Sequence, residues 1–142
     1  MGTVQKSLRI HTDIAKAIQE SAEASGKDYS SVTNELLAES VKLRRCPGIL
    51  FADGPSGRRA RIAGTGIDVW EVIATFRSVG KKSSRLRKAY HWLPEPQIRA
   101  ALGYHTAYPD EIDRQIARNE GWTKEGLAER HPALAADDAD ER

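Results

Sequence analysis

The feature that most limits what this chain can fold into is a short alternating segment, Thr3 to Ile10, followed without a linker by two amphipathic helical patterns. Val4, Leu8 and Ile10 share one face with Lys6, and Gln5, Ser7 and Arg9 occupy the other. So short a strand makes no sheet alone and needs a partner. Thr12 offers a hydroxyl cap with Asp13 in the first turn, and Ile14, Ala17, Ile18 and Ala22 recur at helical spacing until Gly26. Asp28 is placed to cap a second helix whose apolar stripe is Val32, Leu36, Leu37, Val41 and Leu43. Lys42, Arg44 and Arg45 suit its C-terminal dipole, and Cys46-Pro47-Gly48 ends it.

One arrangement satisfies all three elements: two chains pair their strands antiparallel and interlock four helices, so that each completes the other's core. The outward side chains Gln5, Ser7 and Arg9 then enter a major groove, where Gln pairs with adenine and Arg with guanine. The amides at the start of the second helix, around Tyr29, Ser30 and Ser31, are placed to hold a backbone phosphate. Residues 3 to 45 resemble the ribbon-helix-helix repressors of the Arc and MetJ type. The Gln-x-Ser-x-Arg strand, the Gly26-Lys27 turn and the Ser30-Ser31 helix start stand where that family has its base readers and phosphate clamp. Residues 1–46 are therefore expected to form a DNA-binding and dimerisation domain, and the resemblance implies a homodimer able to pair further on DNA.

The next stretch differs in kind. Ile49 to Phe51 and Arg58 to Ile62 read as strands around the turn-rich Ala52 to Gly57, which predicts a hairpin. After a break at Gly64-Thr65-Gly66, helices are expected from Asp68 to near Gly80, from Ser83 or Ser84 through Tyr90, from Glu95 to Tyr104, and from Pro109 through Ile116. The expected fold class is mainly α with minor β: a ribbon-helix-helix arm plus a small β-hairpin and helical domain over 47–119. An acidic, flexible tail is expected over 120–142.

Charge follows these divisions. Residues 1–45 hold 7 Lys and Arg against 6 Asp and Glu, residues 46–107 hold 10 against 4, and residues 108–142 hold 5 against 10. A basic block attracts phosphate backbones or acidic protein surfaces. The cations Arg58, Arg59, Arg61, Lys81, Lys82, Arg85, Arg87 and Lys88 are candidates for phosphate contacts, for reaching the acidic site of a partner, or for solubility alone.

Residues 47–116 resemble a domain of unknown function associated with antitoxins, whose pattern includes a Gly-Thr-Arg-x-x-Val turn. The matching residues are Pro47-Gly48-Ile49, Gly64-Thr65-Gly66-Ile67-Asp68-Val69, Tyr90, Leu93-Pro94, Ala100-Ala101-Leu102-Gly103-Tyr104 and Pro109-Asp110-Glu111-Ile112. Gly66 replaces the usual arginine, so any contact made by that arginine is missing here. The resemblance implies a winged or helix-turn-helix-like domain over 47–119, and the combination resembles antitoxins of the VapB type and implies operator DNA and a PIN-like ribonuclease toxin as partners.

No nucleophile-and-base signature, phosphate loop or zinc spacing appears, so no catalytic residue, metal or cofactor is expected. Asp68 with Glu71, and Asp110 with Glu111 and Asp113, fall at predicted helix starts where acids serve the dipole. Cys46 has no second cysteine to pair with, and His11, His91, His105 and His131 suit helix-cap and surface roles. With 39% apolar and 30% charged residues and no signal or membrane-spanning run, a cytoplasmic protein without membrane association is expected. A stand-alone transcription regulator and a protein-interaction module without DNA binding are the alternatives.

Overall fold

The structure, a computed structural model, describes residues 2–54, 57–119 and 129–133. It is mainly α with a minor β component. Among the described residues the order is α1 (Thr12–Ser25), α2 (Tyr29–Arg45), β1 (Ile49–Gly54), β2 (Gly57–Ile62), α3 (Val69–Ser78), α4 (Ser83–Ala89), α5 (Glu95–Ala107) and α6 (Pro109–Arg118). The chain divides into two compact units, Met1–Lys42 and Leu43–Arg142. The boundary expected after residue 46 falls earlier, because Cys46 already belongs to the second core.

In the first unit, residues 2–11 carry neither helix nor strand. A strand needs a neighbouring strand to bond to, and the first unit has none among its described residues. α1 begins one residue earlier than its expected cap allows. His11, with ψ 141, is the N-cap and makes no side-chain cap bond, while Thr12 is already helical. The Thr12 cap is thus corrected, since a cap residue needs non-helical backbone. α1 closes on Gly26, whose φ of 68 lets Lys27 N–H reach the Ala22 carbonyl at 3.1 Å. α2 starts as expected, with the Ser31 amide donating to Asp28 Oδ1 at 2.7 Å. Among this unit's described residues only Ile18, Ala22 and Val32 are buried, with Tyr29 packed against them.

In the second unit, the hairpin pairs Ile49 with Ile62, Phe51 with Ala60 and Gly54 with Gly57. Its strands run further into the expected turn than predicted. Asp53 stands directly opposite Arg58, with an ion pair at 3.3 Å, and such a cross-strand pair favours continued pairing. Alternation along β2 turns Ala60 and Ile62 into the core and sends Arg59 and Arg61 to the other face. α3 is the central element, packed against α4, α5, α6 and β2. Its Val69, Val72, Ile73 and Thr75 are fully buried together with Ile62, Leu86, Tyr104 and Ile112. The one hydroxyl among these fully buried α3 residues is satisfied, because Thr75 Oγ1 donates to the Glu71 carbonyl at 2.8 Å and lies 3.3 Å from the Tyr90 hydroxyl.

The corner between β2 and α3 is built by Thr65. Its Oγ1 donates to the Ile62 carbonyl at 2.8 Å and accepts the Ile67 amide at 3.1 Å. The acidic tail expected over 120–142 lies outside the described residues except for 129–133. Those five include short helical turns.

Candidate functional site

In the first unit, the predicted base readers Gln5, Ser7 and Arg9 are all exposed on the extended arm. The opposite face of the arm is exposed as well, Val4 by 79% and Leu8 by 72%. Ile14 on α1 and Leu36, Leu37 and Val41 on α2 also stand in solvent. The apolar stripe read from the sequence is therefore real, but in one chain it has almost nothing to cover it.

At the start of α2, Ser30 and Ser31 are exposed and Tyr29 is half-buried against the small core. The amide of Ser31 is given to Asp28 rather than left for a phosphate. The backbone amide and hydroxyl of Ser31 hold the Asp28 carboxyl below the usual carboxylate range. An anion approaching here meets a carboxylate first, and both the amide and the hydroxyl of Ser31 are already engaged with it.

In the second unit, the eight candidate cations separate into two kinds. Arg59 Nε lies 2.9 Å from Asp68 Oδ2 and Arg61 Nε lies 3.0 Å from Asp68 Oδ1. Asp68 is 6% exposed and also accepts from Trp70 Nε1 at 3.2 Å. Its amide donates to Glu71 Oε2 at 2.9 Å, half of a capping box. Burial, helped by the neighbouring Asp68 charge, pushes the Glu71 carboxyl up. Asp68 thus does more than serve the helix dipole: it is the shared carboxylate of the two arginines on the outer face of β2. With Arg58 on Asp53, every hairpin arginine has a carboxylate partner within the hairpin or at the residue that opens α3, three cations to two anions.

The remaining cations lie on and before α4. Lys81, Lys82, Arg87 and Lys88 are exposed and Arg85 is half-buried. Arg87 reaches Glu95 at 2.5 Å in an exposed pair. Positive charge in the second unit is therefore concentrated on residues 81–88.

Three relationships escaped the sequence. On the exposed side of α5 and α6, Asp113 Oδ1 accepts from Arg77 Nη2 at 2.6 Å and lies 3.0 Å from His105 Nε2. These two partners, His105 foremost, hold the Asp113 carboxyl below its usual range. The hydroxyl of Tyr104 donates to Glu111, and burial first, then that bond, push it well above the usual phenol range. His131 places Nδ1 3.1 Å from the Ala89 carbonyl and sets its ring edge-on to Tyr90, centroids 4.6 Å apart. Only the i, i+3 spacing of Asp110 and Asp113 at a helix start hinted at the first, and nothing local marked the other two.

No protein-family model matches the chain, and no curated protein matches it. Among solved structures it is similar to a DUF433 member protein from Anabaena variabilis. That likeness has 28% sequence identity and a TM-score of 0.42, and covers 70% of this chain and 95% of the other. Among the described residues, no helix is long and apolar enough to cross a membrane.

Proposed function

We propose that this chain is an antitoxin of a type II toxin-antitoxin pair, acting by binding rather than turnover in the cytoplasm. It dimerises through its N-terminal arm, represses its own operator, and neutralises a PIN-like ribonuclease with its C-terminal half. The observation that carries the DNA-binding part is the uncovered apolar face of the first unit, Val4, Leu8, Ile14, Leu36, Leu37 and Val41. A second copy of the chain is its occupant. Two arms paired antiparallel would bury Val4 and Leu8 over the α1 and α2 faces and turn Gln5, Ser7 and Arg9 outward together. Three buried side chains are too few to hold a unit of this size alone. The toxin partner rests on the resemblance of residues 47–116 to an antitoxin-associated domain.

The test has two readouts on the full chain. Sedimentation equilibrium should give a dimer, and Leu8→Asp should give a monomer with lost helicity. Binding to DNA upstream of the chain's own reading frame should weaken in Arg9→Ala, with about 1–3 kcal/mol of discrimination lost at one base pair. A monomeric wild type, or an Arg9→Ala variant that keeps full operator preference, would remove the ribbon from this account.

A further inference from the structure

The second unit carries a cluster of exposed cations away from its hairpin. The hairpin arginines Arg58, Arg59 and Arg61 are held by Asp53 and Asp68. No Asp or Glu occurs between Gly80 and Pro94, and Lys81 and Lys82 have no acidic partner among the described residues. On α4, Arg87 pairs with Glu95, and both side chains are about half exposed, 57% and 49%. Such a pair exchanges readily for another anion.

Leu86 and Ala89 turn into the core and leave Lys81, Lys82, Ser83, Ser84, Arg87 and Lys88 outward. At a rise of 1.5 Å per residue the helical part of this face, Ser83 to Lys88, spans about 7.5 Å, the axial length of roughly two phosphates on one strand of duplex DNA, and Lys81 and Lys82 precede it. We propose that the face formed by Lys81, Lys82, Ser83, Ser84, Arg87 and Lys88 binds the sugar-phosphate backbone of duplex DNA without reading its sequence. Within residues 81–88 the outward set is lysine, arginine and serine, the makeup of a phosphate-positioning surface, and the exposed aromatic next in sequence is Trp92. Protein interfaces are instead poor in lysine and centred on buried aromatic or aliphatic side chains.

A second observation bears on Lys81. It is the one described non-glycine residue with positive φ, 58, directly after Gly80 at φ 69. The Lys81 amide closes the end of α3 on the Phe76 carbonyl at 2.8 Å. A left-handed backbone is a cost that glycine would not incur, so lysine stands here against local preference. Relief of that strain and loss of the charge pull a Lys81→Gly variant in opposite directions, which separates folding from binding.

The inference rests on the proposed function only in choosing DNA as the polyanion. The test uses the full chain and a duplex of about 30 base pairs unrelated to the operator, with affinity measured over a salt series. Lys81→Gly with Lys82→Gln should lower the steepness of log affinity against log salt by about 2, at 0.9 per lost phosphate contact. Lys81→Gly alone should weaken binding while raising the melting temperature by about 2–4 °C. An unchanged slope in the double variant overturns the proposal. So does competition by polyglutamate as effective as that of the duplex, the behaviour of a site for acidic protein. Arg9→Ala tests the arm and leaves this face intact, so failure of the ribbon and failure of the α4 face are distinguishable.

Discussion

Arg61 and Asp68 are joined twice, by an antiparallel backbone bridge and by Nε to Oδ1 at 3.0 Å. With the Ile62 amide on the Ile67 carbonyl at 2.9 Å, this fastens β2 to the residue that opens α3. Asp68 therefore holds one corner of the second core while countering two guanidinium groups. Asp68→Ala leaves Arg59 and Arg61 without that carboxylate in a part-buried site and should cost about 3 kcal/mol. Asp68→Asn, which keeps shape and one acceptor, should cost less. Urea unfolding followed by circular dichroism measures both, and an unchanged midpoint in Asp68→Ala would mean that the network adds nothing to stability.

Gly66 and Gly48 look alike in sequence and differ in what they tolerate. A Cβ at Gly66 meets nothing within 4 Å, and its φ lies outside the left-handed range. Gly48 has φ 88, and a Cβ there would lie 3.3 Å from Ala100 Cβ. Gly66→Ala should be neutral or stabilising by up to about 0.5 kcal/mol, whereas Gly48→Ala should cost about 1–2 kcal/mol. The space around Gly66 also admits Gly66→Arg, the residue usual in the resembled turn. Thermal unfolding of the three variants checks the order.

These cases show which information was local. The Asp28 cap, the Asp68 and Glu71 helix start and the stop at Cys46-Pro47-Gly48 are set by neighbours within four residues, and periodicity exposed them. Arg59 and Arg61 stand two apart on a strand, so one shared face was legible, but that Asp68 would receive them depends on the turn of Gly64-Thr65-Gly66. The fate of Val4, Leu8, Leu36 and Leu37 was legible only as a demand for a cover. The α4 face emerged by subtraction, once the hairpin cations were seen to be met. His131 gave no warning, because its partner carbonyl at Ala89 is separated from it by most of the helical domain.

Tyr90 supplies an alkaline limit. Burial pushes its hydroxyl up to about 12, against the lowering effect of its contact with Thr75. A phenol raised above its unfolded value near 10 favours the neutral form in the fold. Stability from this group is complete below about pH 10 and is lost as pH rises towards 12. Tyr90→Phe should be less stable by about 1 kcal/mol at pH 7, from the lost Thr75 contact, and the gap should shrink above pH 10. Denaturant unfolding at pH 7, 9 and 11 reads it out, and a gap that stays constant instead would place the tyrosine hydroxyl in water.

The opposite edge of the pH range belongs to His131. Burial holds its ring below the ordinary histidine value of 6.5, outweighing the bond to the Ala89 carbonyl, and the nearby Arg130 charge adds to the lowering. The folded state therefore prefers the uncharged ring. For a base whose folded value is lowered, stability is complete above the unfolded value and declines as pH falls through it. Contact of residues 129–133 with Tyr90 should be firm at pH 7.5 and loosen progressively below about 6.5. Glu71, raised by burial, titrates with the opposite sign, so the useful quantity is the difference between wild type and His131→Gln, in which Glu71 cancels. That difference should favour wild type at pH 7.5 and close towards pH 5. Hydrogen exchange at the end of α4 locates the change. A difference that stays constant between those two pH values would show that the ring is not desolvated against Tyr90.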